Sequence, residues 1–240
     1  MSKKYKIGRR KSLKLLASVG VGSVTLVNGV AAKGSSINTN FDPSNQSEVE
    51  EFLSNYNKDL NNLLGEEKKE FKRRIEAELS SSQKEAIADY FATQATIEIN
   101  PTPMVASSEV SLNAVSGTFD TDYTVNAAIN TRIGTFDAFD YTHEIEWDVS
   151  GSDVVDCISR RPSYNTYSHL GALYWSFDHD DVEALDINDT HCEATRRATF
   201  TRNFISGDIA STTDTCSITL LGDDKGYGSA PSVLLNGDDY

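Results

Sequence analysis

The segment Thr142–Val149 reads THEIEWDV, and its alternation decides the fold class. Its apolar residues Ile145, Trp147 and Val149 fall at every second position, with acidic residues between them. Because successive side chains of a β-strand point to opposite faces of its sheet, this pattern predicts a strand with one buried and one solvated face. Such strands are typical of antiparallel sheets, which can leave one face in water.

The chain on the C-terminal side of this segment is rich in β-branched and aromatic residues. Ser150–Asp153 predicts a turn, and Val154–Arg160 predicts the second strand of a hairpin. Further strands are predicted over residues 173–177, 182–187, 194–204 and 215–221. Short strands separated by Gly, Asp, Asn and Ser are typical of sandwiches and barrels. We therefore predict a mainly β protein, with an antiparallel β-sandwich over residues 96–221.

The sequence before Thr96 has a helical rather than a strand period. Apolar residues recur every three or four positions, at Val49, Phe52, Leu53, Tyr56, Leu60, Leu63 and Leu64. Ser47 with Glu50, and Ser82 with Glu85, have the spacing of a capping box. Two or three short helices are predicted over residues 46–95, after a flexible linker at 33–45. The Gly- and Asp-rich residues 222–240 predict a flexible acidic tail.

The N-terminal segment has the organisation of an export signal. The first 34 residues hold eight of the 22 basic residues and no acidic residue. A basic stretch, an apolar stretch at 13–30 and a small-residue site ending at Ala32 predict a signal peptide over residues 1–32, cleaved after Ala32. The alternative is a basic arm that binds nucleic acid or membrane.

Gly8–Lys14, GRRKSLK, resembles the twin-arginine family of signals, with Ser12 where that family usually has a hydrophobic residue. The resemblance implies that the export machinery recognises Arg9 and Arg10 and that the mature protein is secreted. No later apolar run is long enough to predict a permanent membrane span.

The rest of the chain is strongly acidic, with 14 basic residues against 36 acidic residues after residue 34. Such an excess causes self-repulsion, which molar salt screens. By signal and composition, the chain resembles secreted proteins of haloarchaea, which implies a halophilic protein. Nucleic acid is not an expected partner, because phosphate binding needs a basic patch. A cell surface, a glycan or another protein is expected instead.

Three cysteines, Cys157, Cys192 and Cys216, are compatible with one disulfide and one remaining thiol outside the cell. Cys192–Cys216 is the candidate pair, and Cys157 could replace either partner. Their spacing does not match a zinc site.

Asp186, Asn188 and Asp189 resemble the start of a calcium loop, although the expected glycine and late glutamate are missing. A surface calcium site is one interpretation, and no other cofactor is expected. In the neighbouring residues 177–183, FDHDDVE, the pair His179-Asp180 resembles a phosphohydrolase signature, but an acidic turn accounts for this segment better. No catalytic residue is predicted, because the sequence has no nucleophile elbow, phosphate loop or zinc-protease motif.

Tyr164 and Tyr167 follow Pro162 and are predicted to lie in an exposed loop beside Arg160 and Arg161. Exposed aromatic rings can stack on sugars or anchor a protein partner. The alternative role of the arginines is ion pairing with the many carboxylates. We therefore expect a non-catalytic extracellular protein that binds a cell surface, a glycan or a protein. A secreted hydrolase with paired carboxylates and the precursor of a secreted antimicrobial protein are the alternatives.

Overall fold

A computed structural model describes residues 37–100, 116–206 and 208–240. The predicted signal, with Arg9, Arg10 and Ala32, lies outside these residues. The helices are α1 (Gln46–Asn61), α2 (Gly65–Glu78) and α3 (Ser81–Gln94). None of the helices in the described ranges is both long enough and apolar enough to cross a membrane.

The strands form two antiparallel sheets. Sheet A contains β1 (Thr96–Asn100), β2 (Gly117–Thr131), β3 (Gly134–Ser150), β4 (Asp153–Ser159) and β5 (Ser163–Thr166). Sheet B contains β6 (Ser168–His169), β7 (Leu173–Asn188), β8 (His191–Phe204), β9 (Thr212–Asp223), β10 (Gly228–Leu235) and β11 (Asp238–Asp239). Sheet A runs in the order β1-β2-β3-β4, with β5 also paired to β3, and sheet B runs β11-β10-β9-β8-β7-β6. Within the described ranges, three helices precede two antiparallel sheets, which confirms the predicted mainly β fold class.

Strand β3 supplies much of the core between the sheets. Ile145, Trp147 and Val149 are buried, as their alternation predicts. Trp147 also crosses to sheet B, where its Nε1 donates a hydrogen bond to the carbonyl of Asp223 at 3.0 Å. Its ring lies directly on Gly222, since a Cβ built there would be 2.4 Å from the indole. Position 222 therefore requires glycine.

The helices pack against the start of β3 with an apolar face. Phe91 of α3 meets Phe136 of β3 edge-on, with ring centroids 5.1 Å apart. Asn45 caps α1 by accepting a hydrogen bond from the amide of Ser47. Ser80 caps α3 in a capping box with Gln83. Both helices begin before the predicted serines, because an equivalent side-chain acceptor is present two residues earlier.

The described part of the predicted linker, residues 37–45, is packed rather than flexible. Phe41 is buried and stacks on Phe52 with ring centroids 4.7 Å apart. Gln83 Nε2 donates hydrogen bonds to the carbonyls of Thr39 at 2.8 Å and Phe41 at 3.1 Å. The prediction was wrong here because one aromatic residue anchors an otherwise polar segment.

The flexible tail predicted at residues 222–240 is also wrong, because this segment carries β10 and β11. Val233 and Leu235 of β10 are buried. The Asn236 side chain accepts a hydrogen bond from the amide of Thr215 at 2.7 Å. Two core residues are too few to reveal a strand among many Gly and Asp residues.

The residues predicted as an acidic turn, 177–183, lie inside β7. This strand joins the two separate runs predicted at 173–177 and 182–187. Its pairing with β8 shifts register between Phe177 and His179 and again between Val182 and Ala184. These irregularities break the alternation that marks a strand in sequence.

Candidate functional site

The two predicted ligand-binding arginines, Arg160 and Arg161, have different surroundings. Arg160 follows β4, where its guanidinium bonds to Glu146 and lies 3.3 Å from the Glu144 carboxylate. The hydrogen bond and charge of Glu146 raise the pKa of Arg160. The predicted alternative, ion pairing, therefore describes Arg160, whereas Arg161 is exposed.

Tyr164 lies on strand β5 and not in a loop. It stands opposite the buried Tyr141 of β3, so its ring faces the inside of the sandwich at an open edge. The ring stacks on Phe177 with a centroid distance of 3.9 Å and an interplanar angle of 13°. One ring face is covered and 46% of the residue remains exposed.

Tyr167 is half-buried, and its hydroxyl donates a hydrogen bond to Asp140 Oδ2 at 2.6 Å. Lys72 Nζ lies 6.0 Å from the ring centroid. Desolvation and the Asp140 hydrogen bond raise the pKa of the Tyr167 phenol. Asp140 is on the side of β3 opposite Tyr141, so Tyr164 and Tyr167 do not form a common platform.

Of the candidate calcium residues, Asp186 and Asn188 lie at the end of β7, where Asp186 stands opposite Glu193, and Asp189 lies in the turn before β8. Asn188 Oδ1 accepts hydrogen bonds from the Thr190 amide, the Thr190 hydroxyl and the His191 amide, at 2.8 to 3.1 Å. Asp189 carbonyl accepts from the amide of Val154 at 3.0 Å. These bonds give the turn a structural role. Across the ranges that the structure describes, no group of three or more His, Cys, Asp or Glu side chains could hold a metal ion. The calcium interpretation gains no support from this geometry.

One serine–histidine pair has the distance of a nucleophile and its base. His143 Nε2 lies 3.0 Å from Ser159 Oγ, and Nδ1 lies 3.2 Å from the carbonyl of Ile218. Since a carbonyl can only accept, Nδ1 carries the proton and Nε2 accepts from the serine. His143 is fully buried, and desolvation lowers its pKa to about 4. The pair connects β3 to β4, and the bond from His143 to Ile218 joins sheet A to sheet B, so both contacts contribute to the packing of the sheets.

A groove of about 370 Å³ runs between α1 and α3. Its lining includes Pro43, Gln46, Val49, Asp89 and Tyr90. Asp89 is the single carboxylate among the residues that line it, so the groove does not supply the paired carboxylates of a hydrolase.

The outer face of sheet A is acidic. It carries carboxylates in directly opposed cross-strand pairs, namely Asp120 with Glu146, Asp122 with Glu144, and Asp148 with Asp156. Like charges that face each other across strands destabilise a sheet. Salt screens this repulsion, and the face repels anionic partners.

The outer face of sheet B has a different chemistry. Leu173 and Trp175 of β7 are buried, whereas Tyr174 between them is 46% exposed and points outward. Opposite it on β8 is Asn203. Six uncharged polar residues share this face on three adjacent strands, with Tyr174 at one corner, and together they form a surface that we call the hydroxyl face: Ser176, Thr199, Thr201, Asn203, Thr213 and Thr215.

Hydrogen bonds hold part of the hydroxyl face in place. Asn203 Nδ2 donates to Ser176 Oγ at 3.1 Å, and Asn203 Oδ1 accepts from Ser211 Oγ at 3.2 Å. Thr201 Oγ1 donates to Asp178, which borders the face. The sequence did not reveal this surface, because its members come from three strands and become neighbours only through register.

The comparisons with known proteins add no relative from which a function could be inferred. No protein-family model, curated protein or solved structure matches this chain.

Proposed function

We propose that this chain is a secreted, non-catalytic protein that binds a neutral glycan on its hydroxyl face. The main support for this proposal is the exposed ring of Tyr174 beside an uncharged array of hydroxyl and amide groups, on a protein that is otherwise acidic. Aromatic rings offer an apolar surface to the C–H face of a sugar. Serine and threonine hydroxyls both donate and accept hydrogen bonds, as sugar hydroxyls do.

The dimensions of the hydroxyl face also suit a glycan. Three strands spaced about 4.8 Å apart give a width of roughly 10 Å, and residues 199–203 of β8 span roughly 13 Å. This area can accommodate two or three sugar rings. The Asn203 hydrogen bonds partly preorganise the side chains of this face, which lowers the entropy cost of binding.

Retention on insoluble polysaccharides and on immobilised neutral glycans tests the proposal. Molar NaCl in the buffer screens ionic adsorption of this acidic chain. Tyr174→Ala is expected to weaken retention about tenfold or more, because it removes an aromatic ring that the bound glycan would cover. Tyr227→Ala is the matched control, because Tyr227 is also 46% exposed but lies outside the hydroxyl face. Thr213→Val keeps the side-chain shape and removes one hydroxyl, so it should weaken retention without unfolding the protein.

Three results would overturn this site. The first is equal retention of Tyr174→Ala and the unmodified chain. The second is a loss caused by Tyr164→Ala alone, which would move binding to the originally predicted edge near Arg160 and Arg161. The third is absence of retention on every glycan probe.

The proposal includes export through the twin-arginine route into a saline medium. It rests on the cationic start of the chain, the Arg9-Arg10 pair and the acidic sheets. Mass spectrometry of the culture medium should find a product that begins at Lys33. Arg9→Lys with Arg10→Lys should retain the precursor in the cell, while Lys3→Arg with Lys4→Arg should not. An unclipped chain confined to the cytosol contradicts secretion, and undiminished export of the first double variant contradicts the route.

A further inference from the structure

We propose that Cys157 and Cys192 form a disulfide that ties sheet A to sheet B. Cys157 lies on β4 and Cys192 on β8, and their thiols are within hydrogen-bonding distance of each other. Both side chains are buried in the core between the sheets. The crosslink is independent of the glycan-binding proposal.

The strand register explains why these two cysteines meet. Cys157 stands opposite Trp147 in sheet A, and Cys192 stands opposite Gly222 in sheet B. The Trp147 ring packs directly on Gly222, so this contact brings the two cysteine positions together from facing sheets. The hydrogen bond from Val154 to Asp189 fixes β4 to the β7–β8 turn a few residues away.

The same register does not permit the pair predicted from the sequence. Cys192 pairs with Gly222 of β9, whereas Cys216 pairs with Ala198 of β8. Six residues along β9 separate the two positions by roughly 20 Å. A disulfide needs Cα atoms within about 7 Å. The predicted Cys192–Cys216 pairing is therefore wrong. The fold supports the alternative in which Cys157 is the partner of Cys192.

Formation of this disulfide requires another disulfide as the oxidant, such as glutathione disulfide or the disulfide of an extracellular thiol oxidase. In the first step, the Cys192 thiolate attacks the oxidant. Its sulfur bonds to one sulfur of the oxidant and the other sulfur leaves as a thiolate. Cys157 then loses its proton and attacks Cys192 Sγ, which releases the second thiolate. Two protein thiols are oxidised and one disulfide is reduced to two thiols. Because both side chains are buried in the folded protein, the exchange takes place while the sheets assemble.

Refolding of the secreted chain in a glutathione redox buffer, followed by peptide mapping without reduction, tests the pairing. The expected map has one crosslinked peptide that contains Cys157 and Cys192, and Cys216 alkylates only after unfolding. The crosslink closes a long loop, so the oxidised protein should melt on the order of 10 °C higher than the reduced protein.

Variants separate the crosslink from a merely buried cysteine. Cys216→Ser is the matched control and should keep both the linked peptide and the difference in Tm on reduction. Cys157→Ser should lose both. Three free thiols in the oxidised, folded chain, or a link through Cys216, would overturn the proposal. The map of the unmodified chain decides the question even where Cys157→Ser does not fold.

Discussion

Removing one carboxylate from opposed acidic pairs should stabilise the protein at low salt and have little effect at high salt. Two pairs have no arginine between them: Asp148 faces Asp156 on sheet A, and Asp186 faces Glu193 on sheet B. Asp156→Asn with Asp186→Asn changes neither side-chain shape nor the acceptor that Asp156 offers to the amide of Cys157.

The magnitude follows from the strand geometry. Opposed like charges in a sheet cost about 0.5 kcal/mol each, so the double variant should gain about 1 kcal/mol in free energy of unfolding at 0.1 M NaCl. With carboxylates roughly 6 Å apart, shortening the Debye length from about 10 Å to about 3 Å reduces the repulsion roughly fourfold. The gain should therefore fall to about 0.25 kcal/mol at 1 M NaCl.

Urea unfolding measures this gain, because urea is uncharged and leaves the salt concentration free to vary. Asp208→Asn with Asp239→Asn is the matched control. It removes the same net charge, but Asp239 stands opposite Leu234 and Asp208 lies in the loop between β8 and β9. An equal gain in the control would show that total charge matters and not the opposed pairs. A gain that persists at 1 M NaCl would refute the electrostatic reasoning.

Two further predictions concern buried polar groups. Asp214 accepts hydrogen bonds from Trp175 Nε1 at 2.9 Å and Arg202 at 2.7 and 3.1 Å, so Asp214→Asn should lose about 3 kcal/mol in urea unfolding; a loss below about 1 kcal/mol contradicts a structural role. His169 is buried against Phe91 and Phe136, and desolvation lowers its pKa to about 4, below the usual 6.5. Its neutral form therefore contributes stability that is fully present above pH 6.5 and is lost as the pH falls towards 4. His169→Gln should flatten the decline in unfolding free energy between pH 6.5 and 4, and an unchanged slope contradicts this assignment.

The sequence predicted those parts of the fold that local pattern encodes. The alternation of Ile145, Trp147 and Val149 identified β3, and the helical stripe identified α1. The predicted N-caps of α1 and α3 were two residues too late in the sequence. Asn45 and Ser80 offer the same side-chain acceptor as the serines that follow them. Strand β7 was divided because its bulges and acidic residues hide the period.

The site was less predictable, because its members are brought together by strand pairing. Tyr164 and Tyr167 are neighbours in sequence but contact opposite sides of sheet A. Conversely, Cys157 and Cys192 are far apart in sequence and meet across the core. Arg160 illustrates the same limit, since its partners Glu144 and Glu146 alternate along the neighbouring strand.

Hydrogen–deuterium exchange with a retained polysaccharide tests the central claim most directly. Glycan binding should slow exchange of backbone amides in residues 174–178 and 199–203, on the strands that carry the hydroxyl face. Protection confined to β3 and β5 of sheet A would contradict the account.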